Sequence, residues 1–414
     1  MAQRGAHAPQ ETAASGPLAG LLVADFTRVL AGPYATMLLA DLGAEVVKVE
    51  SRAGDDTRTW MPPVRDEVST YFLGVNRNKR SVALDFTDPE DLRRAQTLAQ
   101  HCDVLLENFR PGGLARFGLD YTTVSATNPG VVYASISGFG TGKGAQLPGY
   151  DLIVQAISGL MSLTGDPAGE PYRAGISVFD VMAGMHATIG LLAALHDRSA
   201  TGAGQHVEVN LMSSALSGLV NHSSAVVAAG ATPYRMGNAH PSLFPYDALQ
   251  TADGQMIVTA GNDGQFRKLC EVLGLPGVPE DPRFRRNQDR VANREALRPV
   301  LEDRLRTRTS SEWFDALIWA GVPCGPINTV NDGVAFAEGL GLDPVVEAGE
   351  GAAAVPSIRN PITFSRTPAD YRLPPPALDE HGDDIRAWLD GLVDGDPPGD
   401  DREPDGAGPD GVHR

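Results

Sequence analysis

Cysteine and positive charge are both scarce in this 414-residue chain. The three cysteines, Cys102, Cys270 and Cys324, are far apart and show no C-x-x-C spacing, which favours a reducing compartment over a disulfide scaffold. Lys and Arg number 34 against 52 Asp and Glu, and the formal net charge is -18. Because nucleic acid and anionic membranes attract positive charge, this balance argues against both as partners. One anionic small molecule in a local basic patch remains compatible with it.

Long apolar runs are missing as well. No run reaches the roughly 20 apolar residues that span a bilayer, and the longest, 187–195, lies between His186 and His196. The first residues of the chain are polar and lack the apolar centre of a signal peptide. These features predict a cytoplasmic protein without a membrane segment.

Several catalytic and cofactor motifs are also absent. The loop after the first predicted strand, Thr27–Pro33, contains one glycine and lacks the G-x-G-x-x-G pattern that lets backbone approach a dinucleotide pyrophosphate. No G-x-S-x-G elbow, H-E-x-x-H motif or paired Cys/His spacing occurs. Cys324, in a tight Val-Pro-Cys-Gly-Pro turn, is an alternative nucleophile. We therefore expect no nicotinamide, flavin or metal cofactor.

The first third of the chain alternates strand and helix signals. Pro33, Gly43 and the pair Asp88-Pro89 mark helix ends between apolar runs. The predicted strands cover 21–26, 45–50, 81–86, 104–106 and 131–136. Strands separated by helices indicate an α/β fold with a parallel, doubly wound sheet, whose ligands bind beyond the carboxyl ends of the strands. Those ends carry residues 27–33, 51–57 and 108–113.

The pattern changes from about residue 240. Two strands joined by a turn at Asp253-Gly254 are predicted within 248–260. The predicted helices outside the first third are 180–196, 211–226, 264–273, 292–306 and 310–320. The expected domains are a tail (1–16), a large domain (17–225), a linker and small α+β domain (226–330), a return to the large domain (331–389) and an acidic tail (390–414). Both tails are predicted to be disordered.

Basic residues cluster near the predicted strand ends. They are Arg28, Arg52, Arg77, Lys79, Arg80, Arg110 and Arg116. These basic residues have two interpretations. They form either a solvated charged surface or a binding site for a ligand with several phosphates. Apolar neighbours such as Val29, Leu30, Phe86 and Phe109 suit an adenine and a pantetheine arm. On the residues alone both interpretations stay open.

Asp180 lies between a predicted strand and the predicted helix 180–196. Asp is a favoured N-cap, and that role accounts for the residue without any chemistry. The same position favours an ionised carboxylate, because a helix N-terminus stabilises negative charge. Gly175 and Gly184 would let a bulky substrate approach the backbone. Helix cap and nucleophile are therefore alternatives for Asp180.

A series of short segments resembles the class III coenzyme A-transferases. This group includes formyl-CoA transferase and carnitine CoA-transferase and is related to α-methylacyl-CoA racemase. The resemblance runs from about Pro17 to Leu389 and is specific through the order and number of its segments. They are 25–33 (DFTRVLAGP), 42–50 (LGAEVVKVE), 76–81 (NRNKRS), 107–112 (ENFRPG), 137–140 (SGFG), 149–151 (GYD), 202–205 (GAGQ), 237–241 (GNAHP) and 321–326 (GVPCGP).

The resemblance implies a fold and a set of site residues. It implies a Rossmann-like large domain built from both ends of the chain, a smaller domain and a homodimer of two interlocked rings. The family's catalytic aspartate falls on Asp180. No metal is implied, and no cofactor beyond coenzyme A as substrate. The implied coenzyme A contacts are Val29, Leu30, Ala31, Arg52, Leu84, Phe86, Asn108, Phe109, Arg110, Arg116, Tyr150 and Asp151.

The resemblance also implies a reaction. A transferase of the EC 2.8.3 type would move coenzyme A from an acyl-CoA donor to a carboxylic acid acceptor, through an aspartyl anhydride and an aspartyl-CoA thioester on Asp180. The implied partners are these two small-molecule substrates and a second copy of the chain. Dicarboxylates such as succinate are donors by family analogy, and the residues do not name the donor or the acceptor.

Two departures from the family pattern bear on the activity. The racemases have a histidine where this chain has Tyr150. Tyrosine is a much weaker base than histidine at neutral pH, which disfavours an acyl-CoA racemase or isomerase. Formyl-CoA transferase has a glutamine at the position of Leu30 and a run of glycines at 237–241, so oxalate specificity does not follow. A non-catalytic acyl-CoA-binding protein is the other alternative.

Overall fold

A computed structural model describes residues 15–394 of the chain. Its strands are β1 (Leu22–Phe26), β2 (Glu45–Glu50), β3 (Val64–Arg65), β4 (Val68–Ser69), β5 (Lys79–Ala83), β6 (Val104–Glu107), β7 (Val132–Ser137), β8 (Gln205–Asn210), β9 (Tyr246–Gln250), β10 (Gln255–Thr259), β11 (Cys324–Pro326), β12 (Val345–Ala348) and β13 (Val355–Ile358). Its helices are α1 (Ala31–Asp41), α2 (Thr70–Leu73), α3 (Pro89–His101), α4 (Tyr121–Thr127), α5 (Asp151–Ile157), α6 (Leu160–Leu163), α7 (Val178–Thr201), α8 (Leu211–Gly218), α9 (Asn221–Ala229), α10 (Asp263–Val272), α11 (Asn287–Ala292), α12 (Arg294–Leu305), α13 (Ser310–Trp319), α14 (Val330–Gly339) and α15 (Gly382–Asp394).

A six-stranded parallel sheet with the order β5-β2-β1-β6-β7-β8 forms the centre of the fold. Counted along the sequence, the order is third, second, first, fourth, fifth and sixth, as in the Rossmann fold. The predicted mixed α/β class with a parallel sheet is confirmed. The strand order reverses between β1 and β6, so a ligand crevice is expected beyond the carboxyl ends of these two strands, at Thr27 and Asn108.

Helices cover both faces of this sheet. On one face, Leu22 and Phe26 of β1 belong to a continuous apolar core with Leu98 of α3 and Ile385 of α15. On the other face, Thr36 of α1 donates a hydrogen bond to Asp25 of β1 at 2.7 Å. α7 covers the same face further along, where a Cβ added at Gly190 would lie 2.7 Å from Cγ1 of Val207 in β8. Burial on both faces is typical of parallel sheets and explains the apolar strand sequences.

Most elements of the first half form where the pattern predicts them. β2 has the predicted bounds, and Asp88 caps α3 by accepting the N–H groups of Glu90 at 2.9 Å and Asp91 at 3.2 Å. β5 begins and ends earlier than the predicted strand 81–86. The chain already turns at Asp85, whose Oδ1 accepts the N–H of Thr87 at 2.9 Å, and this local bond ends the extended conformation.

The structure differs from the sequence analysis at β8 and at the predicted helix 211–226 as well. β8 was not predicted, because its letters QHVEVN are too polar for a strand signal, yet its parallel pairing with β7 satisfies its backbone. The predicted helix 211–226 is divided into α8 and α9. It breaks at Val220, whose φ of 34° is incompatible with a continuous right-handed helix.

The described residues form two compact units. The first comprises 15–148, 180–211 and 346–394, and the second comprises 149–179 and 212–345. The predicted domain boundaries do not include the passage of residues 149–179 into the second unit. The chain enters and leaves that unit in segments without a compositional signal. α15 continues to Asp394, five residues into the predicted tail 390–414. The rest of that tail and residues 1–14 of the predicted tail 1–16 lie outside the described residues.

The second unit has its own sheet and core. β9 and β10 form the predicted antiparallel hairpin, and β11 adds a third antiparallel strand. The core of this unit comprises apolar residues of this sheet and of α10, α12 and α13, among them Leu249, Met256, Phe266, Leu297 and Trp313. Trp313 also donates its indole N–H to the carbonyl of Leu305 at 2.6 Å, so its one polar atom is satisfied.

α7 is unusually long and apolar. It has 24 residues and a mean hydropathy of 1.7 in its most apolar window, enough by length and composition to cross a membrane. In residues 15–394 no other helix passes that test. Ala183, Ala187 and Leu191 are buried at the spacing of one helix face, whereas Ile189 is 64% exposed. The helix therefore packs one face within the first unit and leaves apolar side chains exposed on another.

Candidate active site

The loop after β1 lies at the crevice between β1 and β6, and the side chain of Asn108 bonds to it from the β6 side. Oδ1 of Asn108, the first residue after β6, accepts the N–H of Arg28 at 3.0 Å. Nδ2 of the same amide donates to the carbonyl of Arg28 at 2.8 Å. Asn108 thus satisfies both polar groups of the Arg28 backbone and ties the β1 loop to the end of β6.

Val29 adopts an unusual backbone conformation in this loop. Its φ of 71° lies in the left-handed region, which β-branched residues rarely occupy. The N–H of Val29 points to both carboxylate oxygens of Asp55, at 3.2 Å each. Asp55 in turn accepts Nζ of the buried Lys48 at 2.9 Å, and Lys48 also donates to the carbonyl of Thr27 at 3.0 Å. Strain of this kind persists where the surroundings hold it, and it concentrates at ligand sites.

A buried charge network lies beneath the loop. Nζ of Lys79 is 3.1 Å from Asp25 and also donates to the carbonyl of Pro33 at 2.9 Å. Burial alone would raise the pKa of Asp25, but Lys79 and Lys48 lower it to about 2. Burial lowers the pKa of Lys79 to about 8, although Asp25 opposes this effect. The paired charges fix the base of the loop in the low-dielectric interior.

The predicted coenzyme A contacts of the first unit follow four neighbouring strands at one edge of the sheet. They are Leu84 and Phe86 after β5, Arg52 after β2, Val29, Leu30 and Ala31 after β1, Asn108, Phe109 and Arg110 after β6, and Arg116 further along the last loop. The rings of Phe86 and Phe109 stack with centroids 6.5 Å apart, and Phe109 is 39% exposed. The structure therefore brings these residues to the edge where a Rossmann sheet binds ligands.

Four of the seven cations singled out from the sequence are exposed at this edge. Arg28 pairs with Asp56 at 3.0 Å, and Arg52 lies 3.6 Å from Asp91. Among residues 15–394, Arg110 and Arg116 have no carboxylate partner within ion-pair distance, and Arg116 covers the ring of Phe117 at 4.5 Å. Exposed, unneutralised guanidinium groups suit a ligand with several phosphates.

The other three cations are structural. Arg77, Lys79 and Arg80 are buried, and their ion pairs with Asp41, Asp25 and Glu45 measure 2.6, 3.1 and 3.3 Å. They lie before or at the start of β5, whereas the ligand edge lies at the carboxyl ends of the strands. Their burial and their ion pairs argue against a ligand-binding role for these three residues.

Asp180 lies within the first turn of α7, as its third residue. The prediction that Asp180 is the N-cap is therefore wrong, because the helix begins two residues earlier, at Val178. Its side chain is half-buried. Oδ2 of Asp151, in the second unit, accepts the N–H of Phe179 at 2.7 Å and so serves this turn. The first turn still favours a negative charge on Asp180, because the helix dipole acts there.

Gly184 brings α7 against the start of α1. A Cβ at Gly184 would lie 2.5 Å from the carbonyl oxygen of Ala31, so only glycine permits this approach. This contact between helices, and not room for a substrate, accounts for the glycine at position 184. Asp180 precedes Gly184 by four residues and shares its helix face. The contact with Ala31 therefore lies one helix turn from Asp180.

Tyr150 and Asp151 belong to the second unit. Tyr150 directly precedes α5 and is 63% exposed. Asp151 is buried and bonds to Gln155 as well as to Phe179. The contacts of Asp151 thus serve the backbone of the second unit, whereas Tyr150 presents its ring to solvent.

A pocket of about 300 Å³ is lined by residues of β7 and β8 and of the loop after β6. Phe109 and Arg110 line it on one side. On the other side Oγ of Ser135 lies 2.9 Å from Nε2 of His206. Burial lowers the pKa of His206, which favours the neutral imidazole. Sequence reasoning missed His206 and Ser135, because β8 was not predicted.

Cys324, the alternative nucleophile, lies in β11 of the second unit. Burial raises the pKa of the Cys324 thiol to about 11, which makes this residue a poor nucleophile at neutral pH. In the part of the chain that the structure describes, no group of three or more His, Cys, Asp or Glu side chains could hold a metal ion. Sequence reasoning also missed Asp55 and Lys48. The available signals were an acidic residue after β2 and a lysine within β2.

Comparison with known proteins gives a consistent result over nearly the whole chain. The sequence model of CoA-transferase family III matches residues 18–382. The chain is 40% identical over 385 residues to the succinate–glutarate CoA-transferase of Agrobacterium fabrum, covering 90% of this chain and 96% of that protein. It is 40% identical over 375 residues to the acetyl-CoA:oxalate CoA-transferase of Acetobacter aceti, covering 90% and 95%.

Solved structures are similar as well. A CAIB/BAIF family protein from Brucella suis superposes with a TM-score of 0.81 at 42% identity, covering 91% of this chain and all of that one. A protein from Mycobacterium tuberculosis gives a TM-score of 0.80 at 32% identity, covering 89% and 98%.

Proposed function

Because this chain belongs to CoA-transferase family III and is a transferase of the EC 2.8.3 type, we propose that it forms covalent intermediates on Asp180. In this proposal coenzyme A moves from an acyl-CoA donor to a carboxylic acid acceptor. The observation that carries it is the close contact of Gly184 with Ala31, because Gly184 lies one helix turn from Asp180 and Ala31 lies two residues after the conformationally strained Val29. The exposed Arg110 and Arg116 support phosphate binding at the same edge.

The proposed reaction consists of four acyl transfers. A carboxylate oxygen of Asp180 attacks the thioester carbon of the donor, the C–S bond breaks, and coenzyme A leaves as a thiolate. The thiolate attacks the Asp180 carbon of the resulting anhydride and expels the donor acid as a carboxylate. The acceptor carboxylate attacks this aspartyl-CoA thioester and again releases the thiolate. Attack of the thiolate on the acceptor's acyl carbon forms the new acyl-CoA and regenerates Asp180.

Each step of this sequence exchanges a carboxylate and a thiolate, so no net proton transfer is required. The protein must therefore hold Asp180 ionised and orient two anions. The first turn of α7 favours the ionised carboxylate. The loop at Val29 is held by Asp55 and Asn108 before any ligand arrives, which lowers the cost of ordering it on binding.

We propose a dicarboxylic acid as one substrate. Relatives that match this chain are named for succinate and glutarate, for oxalate and for mesaconate. A screen of these acids against their thioesters, with mass spectrometry of the products, would assign the pair. Turnover of monocarboxylates alone would refute this part of the proposal.

We also propose that the active form is a cytoplasmic homodimer of interlocked rings. The exposed apolar side chains of α7, Met185, Ile189 and Leu192, support a second copy as the covering partner. Sedimentation without detergent should give twice the chain mass. A monodisperse monomer, or a protein that requires detergent, would contradict the dimer.

Trapping of the intermediates tests the chemistry. The protein is incubated with acyl-CoA and then with hydroxylamine, and the adduct is located by peptide mass. We expect the label on Asp180, and loss of transfer in Asp180→Asn with coenzyme A still bound. Asp383→Asn, which changes an exposed first-turn carboxylate of α15, is the matched control and should remain active.

Two outcomes favour the alternatives. Deuterium exchange at the α-carbon without an acceptor acid would indicate an isomerase. Binding of coenzyme A without any exchange of label between free acid and thioester would indicate a binding protein. Either outcome, combined with an unmodified Asp180, refutes the proposed mechanism.

A further inference from the structure

The loop that follows β1 is held at successive backbone groups by side chains of β1, of β2 and of the loops after β2 and β6. Thr27 donates its N–H to Asp25 at 3.0 Å and receives Lys48 on its carbonyl at 3.0 Å. The backbone N–H and carbonyl of Arg28 both bond to the side-chain amide of Asn108. Four successive polar groups of the Thr27 and Arg28 backbone are thus satisfied by side chains rather than by secondary structure.

The conformation held in this way is an unfavourable one. Val29 has a φ of 71°, and a β-branched side chain in this region is strained. Its N–H is held by Asp55, whose carboxylate is buried and paired with Lys48, with both side chains almost fully buried. Burial alone would raise the pKa of Asp55, but Lys48 lowers it, so the acceptor stays charged. A charged acceptor gives a stronger hydrogen bond than a neutral one.

The amide of Asn108 commits one acceptor site and one N–H to this arrangement. Its oxygen accepts Arg28 N–H and its nitrogen donates to the Arg28 carbonyl, both at good distances. Holding the backbone of Arg28 is a task for Asn108 that differs from the direct contact that family resemblance implies.

We infer that Asn108 and Asp55 are positioning residues that hold Val29 in its left-handed conformation and so present the backbone of Leu30 and Ala31 to the acyl-CoA. Asn108 acts through the backbone of Arg28 rather than through its own contact with coenzyme A. The inference rests on the proposed binding of coenzyme A at this edge.

A double-mutant cycle between Asn108 and Val29 tests the inference. Asn108→Ala removes both bonds and should weaken binding of coenzyme A, measured by titration calorimetry, about 10-fold or more. Val29→Asn introduces a residue that tolerates the left-handed region. If the bonds act by holding Val29, Asn108→Ala should cost at least about 3-fold less affinity in the Val29→Asn background than in the wild type.

The matched control is Asn128→Ala. Asn128 is also half-buried, and its Nδ2 donates to the carbonyls of Ala99 and Cys102 at 3.2 and 2.8 Å, away from the β1 loop. It should lower thermal stability without changing coenzyme A affinity. Asp55→Asn should weaken affinity like Asn108→Ala, and if that variant does not fold, the Asn108 cycle stands alone.

Two results would overturn the inference. One is an equal loss of affinity from Asn108→Ala in both Val29 backgrounds, which is the signature of a direct contact. The other is unchanged hydrogen–deuterium exchange of residues 27–34 in Asn108→Ala, since a released loop must exchange faster. The hydrogen–deuterium exchange measurement does not depend on activity. Failure of the wild type to transfer coenzyme A would therefore refute the proposed function separately from the exchange result.

Discussion

Replacement of Gly184 by alanine should separate helix stability from catalytic geometry. The added Cβ would lie 2.5 Å from the carbonyl oxygen of Ala31, whereas ordinary contact begins at 3.4 Å. Both partners are backbone, so no side chain can rotate away. α7 must move relative to α1 by roughly 1 Å, a displacement that can cost an active site about 100-fold in rate.

The effects on stability partly cancel. Alanine is favoured over glycine inside a helix by about 1 kcal/mol. Overpacking against Ala31 costs about 1–3 kcal/mol. We therefore expect a free energy of unfolding that falls by about 1 kcal/mol, a modest change. The value of kcat/KM should fall by a much larger factor, about 100-fold, because Asp180 moves with the helix turn that carries it.

Urea denaturation and exchange of label between acid and thioester measure the two quantities. Gly391→Ala in α15 is the matched control, because nothing lies within 4 Å of the added Cβ. It should raise stability by about 0.5–1 kcal/mol and leave kcat/KM unchanged. A Gly184→Ala variant that is stabilised like this control and fully active would refute the close contact of α7 with α1, on which the proposed role of Asp180 rests.

Three further predictions follow from individual contacts. Since the pKa of Asp25 is lowered from 3.8 to about 2, its charge contributes stability above pH 3.8 that is lost as the pH falls through 2. Asp25→Asn should flatten the urea-derived stability over that range and cost about 3–5 kcal/mol at pH 7, because Lys79 is left buried without its partner. Asp88→Ala should cost about 1 kcal/mol in the same assay through loss of the α3 cap. Arg110→Gln and Arg116→Gln should each raise KM for acyl-CoA and reduce its dependence on salt, with KM for the acid unchanged.

The first five strands of the central sheet and the cap of α3 were predictable because their signals are local. Alternating apolar runs and the pair Asp88-Pro89 depend on neighbours within one or two turns, and the structure confirms them. β8 was not predictable in the same way, because its six polar-rich residues become a strand only by pairing with β7, about 70 positions earlier. The break at Val220 likewise has no local signal, since valine disfavours the conformation that it adopts.

The candidate site shows the same division. Asp180, the exposed arginines and the edge of the sheet could be named from the sequence and its family resemblance. The register of α7 could not, and Asp180 proved to lie within the first turn rather than at the cap. Gly184 had been interpreted as room for a substrate, and its true neighbour, Ala31, is about 150 positions away in the chain.

The sequence by itself determined the α/β class with its parallel sheet and the family, because hydrophobic periodicity and motif order are properties of neighbouring residues. Only the tertiary structure decided which charges face a ligand and which are buried pairs. It separated Arg110 and Arg116 from Arg77 and Lys79, and it assigned both ends of the Asn108 amide to Arg28. The physical reason is that hydrogen bonds and ion pairs depend on distances of about 3 Å between residues that folding alone brings together.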